Sequence, residues 1–127
     1  ELVNIPGISE NLLEGIVAYS EGAKLRMGVA PEVLEKSGVV SEQTAIAMAE
    51  AVRRHAGADL GVSTTGVAGP GPDKDGNPSG LAFIGIADEK GSRAIQVKIG
   101  GGRNRVRTSV TLHALNAVRT MLGGTVD

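Results

Sequence analysis

A chain of 127 residues with 41% apolar content and a formal charge of −1 is long enough to bury one core, and its near-neutral balance gives no general pull toward nucleic acid or an anionic membrane. One Tyr and one Phe make no stacking platform for single-stranded bases, so a nucleic-acid module is not expected. Zero cysteines and two separated histidines exclude a disulfide scaffold, a thiolate nucleophile and a sulfur-based zinc site, and argue against a histidine metal site; no metal and no cofactor is expected.

Glu1 to Val3 reads as the end of something and Pro6-Gly7 as a turn, so the domain's beginning is expected to lie upstream, on a longer polypeptide. From Leu12 to Tyr19 a nearly continuous apolar run, with Gly15 inside it, predicts a first strand buried on both faces. Ser20 is placed to cap a short helix from Glu21 that Gly28 ends, and Pro31 to start a second through Lys36, stopped by Gly38. Ser41 caps a third helix over about Glu42 to His55, where Ala45, Met48, Val52 and Ala56 recur at spacings of three and four, and Gly57 closes it. Asp59 to Thr65 is the second strand. Leu81 to Ala87 and Ala94 to Ile99 make two more, joined through Asp88 to Arg93 as a hairpin. Val106, Val110, Ala114, Ala117 and Met121 lie on one face of a closing helix ending near Gly123-Gly124. Helices and strands interleave without repeats. The fold class predicted is α/β, a layered α/β/α domain with a mixed sheet, one domain over residues 1–127. There is no apolar run long enough to span a bilayer and no signal-peptide pattern, so the expected compartment is the cytoplasm, with no membrane partner.

The stretch Thr65-Gly66-Val67-Ala68-Gly69-Pro70-Gly71-Pro72 follows a strand directly, which is where an α/β protein usually keeps its site. Its glycines admit positive φ and close ligand approach to backbone N–H groups, while Pro70 and Pro72 stiffen the path between them. It is neither a Walker loop nor a G-x-G-x-x-G turn; a ligand-contacting loop and a long surface turn both fit. Tyr19 and Lys24 are placed to project toward the sheet edge from which that loop emerges. A partly buried lysine has a lowered pKa and its neutral amine acts as a general base, with Tyr19 positioning it; the plainer alternative is a solvated helix cation beside a half-buried ring. Arg103, Arg105 and Arg107 crowd a helix N-terminus, where cations are disfavoured by roughly 0.3–1 kcal/mol each unless an anion joins them. Either Arg103 and Arg107 share a face and hold a phosphate or carboxylate, or their stems snorkel over the surface and pair with acids. His55 and His113 read as structural, with no visible partner.

Taken in order, Pro6-Gly7-Ile8-Ser9, Val17-Ala18-Tyr19-Ser20 with Lys24, Gly38-Val39-Val40-Ser41, Thr65-Gly66-Val67-Ala68-Gly69-Pro70-Gly71 and Arg103-x-x-Val106-Arg107 resemble the CinA C-terminal domain family over nearly the whole chain. The resemblance implies a nicotinamide-nucleotide amidase of pyridine nucleotide salvage and NAD biosynthesis, hydrolysing the carboxamide of nicotinamide mononucleotide to nicotinate mononucleotide and ammonia. It implies a metal-free Ser-Lys pair in which Lys24 activates the serine and Tyr19 assists. Thr65, Gly66, Ala68 and Gly69 would line the substrate pocket, and Arg103 and Arg107 are candidates for the nucleotide's phosphate. Some members of the family are free-standing, and others sit behind an N-terminal domain in competence/damage-inducible proteins; a homo-oligomer is left open. The family's serine motif, Glu-Ser-Cys-Thr-Gly-Gly, occurs nowhere in these 127 residues and would fall upstream of Glu1 together with an N-terminal strand and helix. Glu21-Gly22 and Gly102 also depart from the family pattern. The alternative to catalysis is a non-catalytic nucleotide-binding or interaction domain.

Overall fold

The computed structural model describes residues 1–123. After two short 3-10 turns come helices α1 (Glu21–Met27), α2 (Pro31–Ser37) and α3 (Glu42–Ala56), strands β1 (Gly61–Gly66), β2 (Leu81–Asp88) and β3 (Gly91–Lys98), and helix α4 (Arg103–Met121). Local chemistry places most of these boundaries. Ser20 Oγ accepts from Ala23 N at 3.0 Å and Ser41 Oγ from Thr44 N at 3.1 Å, so both predicted caps satisfy an otherwise orphaned helix amide. Gly28 and Gly57 end their helices in the left-handed region, at φ 116° and 64°. Gly123 follows α4 at φ 84°, and Gly124, the other half of the expected stop, lies outside the described residues.

The strands form one antiparallel sheet in the order β1-β2-β3, with Ser63 opposite Gly85, Thr65 opposite Phe83 and Ile84 opposite Ile95. Because side chains alternate across a strand, this register sorts the residues onto two faces. One face, carrying Gly61, Ser63 and Gly85, takes α3 at close range: a Cβ at Gly61 or Gly85 would run into the backbone of Ala49 or Ala45, and the Ser63 hydroxyl donates to the Ala45 carbonyl. The small side chains of Ala45 and Ala49 on α3 permit that approach. On the other face Ile84 and Ile86 pack with Ala114 and Ala117 of α4, and Ala82 with Val106 and Val110. The α/β/α layering is as expected.

Two details differ. The sheet is antiparallel throughout, because the strand expected over Leu12–Tyr19 forms no ladder; a strand needs a hydrogen-bonded neighbour, and among the described residues this segment has none. The β2–β3 connection is a two-residue hairpin, Asp88 pairing with Gly91, where a longer turn through Arg93 was expected. The Asp88 carboxylate accepts from the amides of Lys90 and Gly91 at 2.8 and 3.1 Å and closes the turn by itself.

Candidate functional site

The two predicted centres of chemistry are Lys24 on α1 and the loop that leaves β1. Helix α1 carries Lys24 inward: it is 7% exposed, and its ammonium donates to the Ala18 carbonyl at 2.7 Å. Burial pushes its pKa below the usual 10.5, opposed by the negative charge of Glu21. The solvated-cation alternative is therefore out. Tyr19 does not join it. The ring is 84% exposed, and among the described residues it has no hydrogen bond to Lys24. The reason is alternation along the extended segment: Ala18 and Ile16 turn partly inward and Val17 and Tyr19 outward.

The glycine loop is anchored at its root. Thr65 is 8% exposed and its hydroxyl donates to the Val39 carbonyl at 2.6 Å, tying the end of β1 to the turn before α3. Val67 donates to Leu81 O at 2.9 Å and Gly80 to Val67 O at 2.8 Å, so the two ends of the loop are held together. Gly69, at φ 86°, has no room for a Cβ beside Ser79. Its carbonyl accepts from Arg103 Nη1 at 2.7 Å.

The two arginines expected to act together are thus divided. Arg103 holds the loop, while Arg107 is exposed and lines a hollow of about 220 Å³ with Thr64, Thr65, Gly66 and Ala68. No acidic side chain lies in the first turn of α4 and its N-cap, Gly102, offers none, so the positive charge at this helix start is offset by the Gly69 carbonyl alone among the described residues. Thr64 links the two centres: it borders this hollow and also the cleft that runs along Ala18 and Tyr19. A second link is the Lys74–Glu21 ion pair, 3.8 Å, between the loop's tip and the start of α1.

Sequence reasoning missed three contacts. His55 Nδ1 is 2.8 Å from Glu14 Oε2, which fastens the segment before α1 to the end of α3; His113 Nδ1 meets the Ser109 carbonyl at 2.7 Å; and Thr44 Oγ1 donates to Gly38 O at 2.6 Å beside the Thr65–Val39 bond. The His55 and Thr65 partners are 41 and 26 residues distant in sequence, beyond any local signal. Among the described residues no group of His, Asp and Glu side chains is arranged to hold a metal, and no helix is long and apolar enough to cross a membrane.

Known proteins share this fold. The chain is 42% identical over 123 residues to a CinA-like protein of Kosmotoga olearia, covering 96% of this chain and 30% of that protein. It is 42% identical over 116 residues to a CinA-like protein of Fusobacterium nucleatum, covering 91% and 28%. Among solved structures, a competence/damage inducible protein from Agrobacterium tumefaciens superposes with a TM-score of 0.87 at 33% identity, covering 94% of this chain and 74% of that one. One from Enterobacter asburiae gives 0.90 at 30%, covering 95% and 77%. The chain spans less than a third of the length of these curated relatives. The model of the CinA C-terminal domain matches residues 1–122, and the chain belongs to that family.

Proposed function

We propose that this domain contributes to hydrolysis of the carboxamide of nicotinamide mononucleotide, as part of a metal-free Ser-Lys amidohydrolase whose nucleophilic serine is carried upstream of Glu1. The observation that carries the proposal is the state of Lys24. An ammonium with one carbonyl partner, in a buried position that lowers its pKa, is easier to deprotonate than a surface lysine. Neutral, it accepts the proton of an attacking hydroxyl and returns it to the departing amine as ammonia forms. Thr65 supports the loop through Val39, Gly66 and Ala68 border the hollow below it, and Gly69 holds its shape through Arg103. Arg107, exposed at that hollow, is the cation best placed for the nucleotide's phosphate. The position of Tyr19 supports a role only if the ring turns inward when substrate fills the cleft.

A second reading is nucleotide binding without hydrolysis, supported by Arg107, exposed at the hollow beside Thr64, Thr65, Gly66 and Ala68. Ammonia release from nicotinamide mononucleotide decides between them. The 127-residue chain is expected to be inactive, an upstream-extended chain bearing the serine motif to turn over, and Lys24→Met in that chain to lose at least about 100-fold in kcat, the usual scale of general-base catalysis. Turnover undiminished by Lys24→Met removes the lysine from the reaction. Calorimetric binding of the nucleotide by the extended chain without any ammonia release leaves the binding reading standing alone.

A further inference from the structure

The stretch from Leu13 to Tyr19 lies along the surface, and among the described residues two hydrogen bonds reach it. At one end the Lys24 ammonium donates to the Ala18 carbonyl at 2.7 Å; at the other the Glu14 carboxylate meets His55 Nδ1, near the C-terminal end of α3, at 2.8 Å. An ionised carboxylate only accepts, so Nδ1 carries the hydrogen, as it does in the imidazolium and in one tautomer of the neutral ring. The contact therefore survives either charge on the ring. Surface ion pairs contribute little to stability, and with the His55 side chain 60% exposed this one is of that kind. Its place in the chain is what sets it apart.

Downstream, Ala18 is held by its attachment to Ser20, the cap of α1, whose carbonyl accepts from Lys24 N at 3.1 Å. Upstream, Glu14 is the tether nearest to it, and beyond Glu14 comes the turn in which Leu12 N bonds to Ile8 O. Glu14, Ile16 and Ala18 are alternate residues and all half-buried, so whatever fixes Glu14 fixes which residues face inward as far as Ala18. Successive carbonyls of an extended chain point to opposite sides, and a slip of one residue would offer Lys24 a carbonyl turned away. Lys24 is 7% exposed, and among the described residues its ammonium has that one acceptor. Once the amine is neutral, the N–H that stays on Ala18 directs the lone pair away from that carbonyl.

We propose that His55 is a positioning residue for Lys24, acting through Glu14 and the backbone between Glu14 and Ala18. That span, about 13 Å of extended chain, carries the register set at α3 to the carbonyl that orients the amine. Its meaning for catalysis rests on the amidase reading, in which Lys24 is the base; the mechanical coupling stands without it. The other charged groups beside His55 on α3 are engaged elsewhere: Arg53 Nε donates to the Asp59 carbonyl at 3.1 Å, and Arg54 pairs with Glu50 at 3.9 Å.

The coupling is read first in the 127-residue chain, without turnover, by following the Lys24 Cε resonance through the lysine's titration. In Glu14→Ala and in His55→Ala, water reaches the amine and the midpoint moves up toward 10.5, because burial is the larger cause of its lowering. His55→Asn keeps an N–H donor near the place of Nδ1 and is expected to restore the original midpoint. The double Ala variant should shift no further than either single one. The second reading uses the upstream-extended chain that bears the serine motif: each Ala variant is expected to lose about 3- to 10-fold in kcat with KM held within about 2-fold, since a displaced base slows the reaction without touching substrate binding. If that chain shows no turnover at all, the amidase reading fails and the titration still decides the coupling. Midpoints unchanged in both Ala variants overturn the proposal, even where thermal stability falls. Additive shifts in the double variant, no rescue by His55→Asn, or a raised KM with kcat intact overturn it too.

Discussion

The loop from Val67 to Gly80 and the segment from Leu12 to Tyr19 both border β1 without regular secondary structure, and they are held in opposite ways. The loop closes on itself. Its roots exchange backbone hydrogen bonds with Leu81 and with each other, and the Asp73 carboxylate accepts from the amides of Asp75 and Asn77 and from the Asn77 side chain at 2.8–3.0 Å. Beyond a bond from Leu12 N to the Ile8 carbonyl at its start, the segment's hydrogen bonds among the described residues come from side chains elsewhere, Lys24 at Ala18 and His55 at Glu14. An irregular stretch whose backbone is satisfied by its own neighbours carries its shape in its sequence. One held by remote side chains takes its shape from whatever else is packed beside it.

The largest effect is expected where both regions share support. Gly85 lies in the middle strand, and an added Cβ meets the Ala45 carbonyl and the Ser63 side chain, the first of which is backbone and has nowhere to go. Gly85→Ala is expected to cost roughly 1–3 kcal/mol by overpacking, a fall of about 5–15 °C in Tm for a domain of this size. Thermal melts check it, and both regions should loosen together. A Tm unchanged within about 2 °C would mean that α3 slides freely over the sheet, and the close α3–sheet approach would carry little stability.

Thr65→Val separates the regions. The substitution keeps the volume and removes the hydroxyl bond to Val39, leaving a part-buried carbonyl unpaired at a cost of about 1–3 kcal/mol. Proteolysis at the tip between Asp73 and Asn77 should quicken while amide exchange over Leu13–Ala18 stays as it was. Equal loosening of both would show that the two regions are coupled through Thr64, which borders each cavity.

What could be read beforehand follows the same division. The caps at Ser20 and Ser41, the stops at Gly28 and Gly57, and the core face of α4 were legible because each is set within one or two helical turns. The apolar run at Leu12–Tyr19 was legible as strand-like, but the expected burial on both faces is wrong: Leu13, Val17 and Tyr19 are exposed, because the run lies along the surface with one side inward, and pairing depends on a neighbour that the run itself does not encode. At the site, the burial of Lys24 and the fixed shape of the glycine loop came through. The parting of Arg103 from Arg107 did not, since spacing places both near one helix face but says nothing of a carbonyl at Gly69 that captures one of them.

The smallest effects are pH slopes of opposite sign, one from each region. Lys24 has a folded-state pKa below its ordinary 10.5, chiefly through burial, so between those two values the unfolded chain binds more protons than the folded one. Stability therefore rises with pH across that window, and Lys24→Met is expected to flatten the rise in denaturant midpoints measured from neutral to alkaline pH. Asp73 has a pKa lowered from 3.8, first by the Asn77 side chain, with burial opposing and the backbone amides of Asn77, Asp75 and Gly76 lowering it further. Its contribution is fully present above 3.8 and is lost as pH falls through the lowered value, so Asp73→Asn should flatten the acid limb alone. Because the Asp73 carboxylate is only half-buried, solvent screening keeps its slope the shallower of the two. Should Lys24→Met flatten the acid limb instead, or leave the alkaline limb as steep as before, the lysine would be titrating as a hydrated cation and the contrast between a locally closed loop and a remotely pinned segment would lose its electrostatic half.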